Sequence, residues 1–135
     1  MMYFAVIPSQ SVSFLYQKSH SVHSIYEGFD ISLLDKFRYV KSRCVIIDNG
    51  DTYNIGKWVG ICEILRFEVY IIESNVWMDY FGLYPKQPNL MDEHWMNVVK
   101  YRYPMLPVKK DNYEAVLAAC YLHDKHENES VGAFV

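Results

Sequence analysis

The chain has 135 residues, with 13 Lys and Arg set against 16 Asp and Glu, a formal net charge of −3. That length suits one domain with its own core, and the mildly acidic balance excludes a global basic field for non-specific nucleic-acid binding, though not a local basic groove. Cys44, Cys62 and Cys120 are widely spaced in apolar runs; they match neither zinc spacing nor a disulfide framework and read as reduced core thiols.

Taken in order, Tyr3 to Val6 is a short apolar run stopped by Pro8-Ser9-Gln10. Ser11 to Tyr16 alternates polar and apolar, as a half-buried strand does, and Ser21 to Tyr26 alternates again as a third strand. Glu27-Gly28 reads as a turn, and Asp30 as the cap of a helix from Ile31 to about Arg38. Cys44-Val45-Ile46-Ile47 is a continuous apolar run closed by Asp48-Asn49-Gly50. It predicts a buried central strand with an acid at its C-terminal tip. Helical spacing of Ile55, Trp58, Val59, Cys62 and Leu65 predicts a helix from Tyr53 to Arg66. Gly56 and Gly60 lie one turn apart in it and would admit a close neighbour.

Phe67 to Ile72 reads as the next buried strand, followed by a short segment from Val76 to Phe81. Gly82, Pro85 and Pro88 then break the chain. Asp92 to Tyr103 predicts a helix stopped by Pro104, and the last helix runs from Asp111 to about His123. The pattern is an α/β domain over residues 1–123, built on a mixed sheet flanked by helices. Residues 124–135 form a polar tail expected to fray. Nothing reaches the length of a membrane span, and no basic region precedes the first apolar stretch, so a cytoplasmic protein is expected.

The chemistry-bearing residues concentrate near the last helix. Asp111 and Glu114 are three apart, one helical turn, beside Lys109 and Lys110. Paired carboxylates next to a basic pair suit a Mg²⁺-dependent nuclease, because Mg²⁺ prefers hard oxygen ligands; they equally suit a helix N-terminus that favours negative charge. Lys100, Arg102, Lys109 and Lys110 form one basic group, a candidate phosphate-contacting set, and Lys36, Arg38, Lys41 and Arg43 form another. Either could instead be a solvated face. His20 with His23 reads as exposed and polar, and His123 with His126 as partners of a helix C-terminus. Cys120 near His123 has no evident orienting acid, so a core thiol is the expectation. Trp58, Trp77 and Trp95 read as packing anchors, with Trp77 a candidate for partial exposure.

In order and spacing these motifs resemble the RuvC-like Holliday junction resolvases of the RNase H-like superfamily, in their phage and viral forms. Ala5-Val6-Ile7-Pro8-Ser9 stands where the family has Gly-Ile-Asp-Pro-Gly. Val45-Ile46-Ile47-Asp48 resembles the strand ending in a glutamate, and Asp111-Asn112-Tyr113-Glu114-Ala115 resembles Asp-x-x-Asp-Ala. The resemblance implies an RNase H-like fold with Asp48, Asp111 and Glu114 as remnant catalytic and metal-binding carboxylates. It places Ile7 at the central aspartate, where hydrocarbon cannot ligate a metal.

The implied function is therefore a catalytically degenerate, pseudonuclease form. It would be a viral accessory module, in the host cytoplasm, binding branched DNA or a host or viral protein as a homodimer. No cofactor is expected of that form. The alternative is an active structure-specific endonuclease using Mg²⁺ or Mn²⁺ on Asp48, Asp111 and Glu114. The dimer surface would be the glycine-bearing helix.

Overall fold

Five strands form the centre of the molecule: β1 (Met2–Ile7), β2 (Ser11–Tyr16), β3 (Ser19–Ser24), β4 (Ser42–Ile47) and β5 (Glu68–Ile72). They come from a computed structural model that describes residues 1–27, 29–82 and 90–132. The α-helices are α1 (Thr52–Ile64), α2 (Ser74–Phe81), α3 (Met91–Arg102) and α4 (Tyr113–Gly132), and Ile31–Phe37 makes 3₁₀ turns. The sheet order is β3-β2-β1-β4-β5. β2 is antiparallel to β1 and β3, while β1, β4 and β5 run parallel. Only β2 opposes the rest, so β1, β3, β4 and β5 all finish at one end of the sheet. The mixed α/β architecture is the one that the sequence predicts.

Residue alternation divides the sheet into two faces. Tyr3, Ala5, Ile7, Leu15, Val45 and Ile47 pack under α4 with Trp77 and Trp95. Phe4, Val6, Val12, Phe14, Cys44 and Ile46 meet Trp58 and Cys62 of α1 and Phe37 of the 3₁₀ turns. The three cysteines are free and buried. On the α4 face, helix residues Ala115, Ala118 and Ala119 meet small strand residues such as Ala5, and all four are fully buried. Small groups on both surfaces let helix and sheet approach closely, which is how so short a chain fills its core. Among the described residues no helix is long and apolar enough to cross a membrane.

Several boundaries differ from the sequence reading. The third strand begins at Ser19, because the two-residue turn Gln17-Lys18 pairs Tyr16 with Ser19 and so sets the register. Gln17 takes the left-handed conformation that this turn needs (φ 57°). Expected as buried, β5 is an edge strand instead, with Ile71 51% exposed. Its apolar run looks like that of a central strand, and apolar content alone cannot tell the two apart.

Nor does α4 stop near His123. It continues to Gly132, tied down by Tyr3 Oη to His126 and Glu127 and by Arg102 to Asp124 at 3.7 Å. Gly56 and Gly60 have no close neighbour in the chain: a Cβ at either would meet nothing within 4 Å. The expected turn at Gly28 and the breakers Pro85 and Pro88 lie outside the described residues.

Asp30 caps as the sequence predicts, and Asp51 proves to be a second cap. Asp30 accepts from Ser32 N at 2.9 Å, and Asp51 caps α1 by accepting from Asn54 N at 3.3 Å. At the other end of α1, Phe67 N donates to Cys62 O at 2.9 Å and Arg66 N to Glu63 O at 3.1 Å. This is the Schellman arrangement, and it forces Arg66 to φ 60°. A glycine there carries no Cβ clash. Arg66→Gly is expected to stabilise the protein by about 1 kcal/mol, read as a rise of roughly 3–5 °C in melting temperature.

Candidate functional site

The shared end of the sheet carries a row of residues set by strand register. Ser24 of β3 opposes Ser11 of β2, and Ser11 opposes Ile7 of β1. On the other side Val6 pairs with Ile46, which sets Ile7 beside Ile47, and Ile47 pairs with Ile72. The row therefore reads serine, serine, isoleucine, isoleucine, isoleucine, with the start of α4 lying over it. Ile7 is 1% exposed and packs into the apolar layer beneath α4. Ser11 Oγ, fully buried next to it, has no hydrogen-bond partner among the described residues.

Three acids stand around this row, and each is engaged. Asp48 leaves β4 exposed to solvent, its N–H donating to Ile72 O at 2.7 Å while Oδ1 accepts from Gly50 N at 3.1 Å. Asp111 accepts from Ser24 Oγ at 2.9 Å. Glu114 Oε2 accepts from Ser74 Oγ and, at 2.9 Å, from Trp77 Nε1. The sequence reading put Asp111 and Glu114 on one helical face. The fold differs, because Asp111 lies in the turn before α4, which starts at Tyr113. Helical geometry does not govern the pair. Asp111 bonds Ser24 of the edge strand β3, whereas Glu114 bonds Ser74 and Trp77 of α2.

Among the described residues no group of three or more His, Cys, Asp and Glu side chains is disposed to hold a metal ion. The chemistry of the donor set agrees. Ile7 presents hydrocarbon, and Asp111 and Glu114 are spent on different internal donors, Ser24 for the one and Ser74 with Trp77 for the other. A Mg²⁺ or Mn²⁺ pair does not fit these residues. Asp30 and Asp51 are helix caps. Hydrogen bonds from Ser9 and Asn54 hold the Asp51 carboxyl below its ordinary pKa.

Asn112 shows why the turn before α4 is rigid. It is 3% exposed, accepting from Lys109 N at 2.7 Å and donating from Nδ2 to Pro107 O at 3.3 Å. Beside it lies a cleft of about 290 Å³ lined by His23, Ser24, Phe29, Asp30 and Lys109.

The basic group expected to act together is divided in space. Lys110 pairs with Asp92 in the first turn of α3 at 3.6 Å. Arg102 lies ten residues further on, about 15 Å along the helix, paired with Asp124 and stacked over the Phe81 ring at 5.0 Å. Lys100 is exposed on the last turn of α3, while Lys109 lines the small cleft by Asn112. Proximity in sequence misled because the connection from Tyr103 to Asn112 runs back along α3.

Trp77 is fully buried, against the expectation of partial exposure, since Glu114 satisfies its N–H beneath α4. Cys120 is the core thiol expected: it is 1% exposed, burial pushes its pKa up, and it contacts Tyr103 Oη at 3.4 Å. His123 is turned to Asp124 at 3.1 Å and to the Tyr3 ring. No sequence signal marked Ser24 and Ser74 as the partners of the two acids; they became so only through folding.

His20 is not the exposed histidine expected. Its ring stands edge-on to Tyr103 at 4.7 Å, and Nε2 bonds Ser13 Oγ at 2.7 Å. Burial lowers its pKa from 6.5 to about 4. Nδ1 is buried without a partner among the described residues. The unfolded chain thus takes up a proton near pH 6.5 that the folded protein refuses. Stability from this group is full above that pH and is lost as pH falls toward 4. Urea midpoints are expected to drop by the equivalent of about 2 kcal/mol between pH 7 and pH 4.5, and His20→Gln to flatten that dependence.

Compared with protein-family models and with curated proteins, the chain matches none.

Proposed function

We propose that this protein is a non-catalytic, RuvC-like member of the RNase H-like class, a pseudonuclease whose scaffold binds rather than cuts. The observation that carries the reading is the buried Ile7 in the row between Ser24 and Ile72, with Asp111 and Glu114 committed to Ser24, Ser74 and Trp77. Support for the scaffold comes from the order of elements and from the end of the sheet that Ile7 and Asp48 share. Binding of branched DNA is the first role proposed, with a host or viral protein as the alternative partner. A viral accessory role in the host cytoplasm accompanies either. The homodimer is proposed through α1, where Gly56 and Gly60 leave open space for a second copy. Fold alone does not bring function with it, so the test must be direct.

Labelled four-way junction and linear duplex, each with Mg²⁺ and with Mn²⁺, separate the readings. Junction binding without cleavage is the expected result. Metal-dependent junction cleavage that disappears in Asp111→Asn would replace this reading with the active endonuclease. Absence of both binding and cleavage would remove DNA as the partner.

A further inference from the structure

At the opposite end of the sheet from the acids, where β4 and β5 begin, a cleft of about 410 Å³ is lined by Arg38, Tyr39, Ile64, Leu65 and Arg66. Two segments build it. One is the turn after the 3₁₀ helix, closed by Val40 N donating to Phe37 O at 3.0 Å. The other is the Schellman turn that ends α1. Both backbones are held by hydrogen bonds, so the points from which the side chains project are set before any ligand arrives.

Those side chains have an unusual combination. Tyr39 is 94% exposed and Ile64 77% exposed, whereas Leu65 forms a buried floor at 6%. An aromatic ring in water beside an exposed isoleucine offers apolar surface that no other described residue covers. Guanidinium groups flank that surface from either segment. Arg38 pairs with Asp35 only at the surface, 3.5 Å apart with both side chains more than half exposed, and such a pair is easily exchanged for another anion. Arg66 holds its place in the left-handed conformation, where glycine would be free of strain. Lys36 and Lys41 lie on the same stretch of chain; Arg43 is already paired with Glu68 at 3.2 Å.

We propose that this cleft binds single-stranded nucleic acid. A base would stack on Tyr39 and Ile64 while phosphates meet the guanidinium groups of Arg38 and Arg66. Stacking requires an unpaired base with its face open, which excludes duplex, and planar guanidinium suits phosphate. A purely acidic peptide would use the two arginines and leave the apolar surface unoccupied. The inference stands apart from the RuvC-like reading, since it uses different residues at the other end of the sheet.

The test is fluorescence anisotropy with a labelled short oligothymidylate on wild type, Tyr39→Ala and Arg66→Gly. Each substitution is expected to weaken binding about tenfold, and Arg66→Gly to flatten the salt dependence by about one phosphate contact. Arg66→Gly should melt no lower than wild type, because it removes a strained backbone, so weaker binding there reports the lost guanidinium. Tyr39 is too exposed for its loss to unfold the chain. Affinity unchanged in both variants overturns the proposal. So does polyglutamate competing as well as the oligonucleotide, and so does duplex of equal length binding as tightly. Junction binding by the wild type leaves this question untouched, since only these variants report on the cleft.

Discussion

Ile7→Asp is expected to destabilise the fold by about 5 kcal/mol, the largest effect of any single change considered. Ile7 is 1% exposed and sits in the layer shared by Ala5, Ile47 and the start of α4. The substitution removes buried hydrocarbon and leaves a carboxyl there, with Ser11 Oγ the nearest polar group along the row. A domain holds only about 5–15 kcal/mol in all, so the variant stands at the margin of folding. Burial raises the folded-state pKa of such a carboxyl above its unfolded value of about 3.9. The deficit is then smallest at acidic pH, where both states are protonated, and it grows as pH rises.

Chemical denaturation of wild type and variant at pH 4 and pH 7 measures this directly. The same substitution restores, in sequence, the aspartate that the family resemblance places there. Adding Mn²⁺ is expected to leave its melting unchanged, because Asp111 and Glu114 are held by Ser24, Ser74 and Trp77. A metal-dependent rise in melting temperature, absent from wild type, would mean that the acids can close on a cation. The nuclease reading would then regain its basis.

Glu114→Ala is expected to cost about 3 kcal/mol. Its carboxylate accepts from Trp77 Nε1 at 2.9 Å and from Ser74 Oγ, and so fastens α2 beneath α4. Trp77 is fully buried, and without Glu114 its indole N–H loses the side-chain acceptor that satisfies it. Glu114→Gln keeps an acceptor oxygen and is expected to lose about 1 kcal/mol. The comparison separates two kinds of residue. A carboxylate retained for metal chemistry is commonly neutral or stabilising to remove, since function rather than folding holds it in place. A carboxylate retained as a bridge is destabilising to remove. Urea unfolding of the two variants decides between them, and a Glu114→Ala protein as stable as wild type would overturn the bridging role.

Much of this architecture is readable without coordinates. Alternation in Ser11 to Tyr16 marks a strand with two unlike faces. The Cys44 to Ile47 run marks a strand buried on both. Asp30 sits where a helix needs a cap, and Gly82, read as a breaker, ends α2 at φ 80°. These signals are local: they rest on side-chain period and on backbone donors within a few residues, which the sequence itself sets out. The mixed α/β class follows from their order.

Other features were decided only when distant segments met. β5 resembles a central strand in composition, and its place at the edge depends on which strands pair. Polar residues beyond His123 resemble a fraying tail until Tyr3 and Arg102, far away in sequence, supply partners. Four basic residues look like one patch until the chain doubles back between Tyr103 and Asn112. The acids are the clearest case. Their identity and spacing are plain in the sequence, and so is the absence of an acid at Ile7. Whether Asp111 and Glu114 converge depends on where α4 begins and on serines brought up from β3 and α2. Hydrogen-bond partners across the sheet are tertiary facts, and here they tie each of a pair of carboxylates into a different part of the fold.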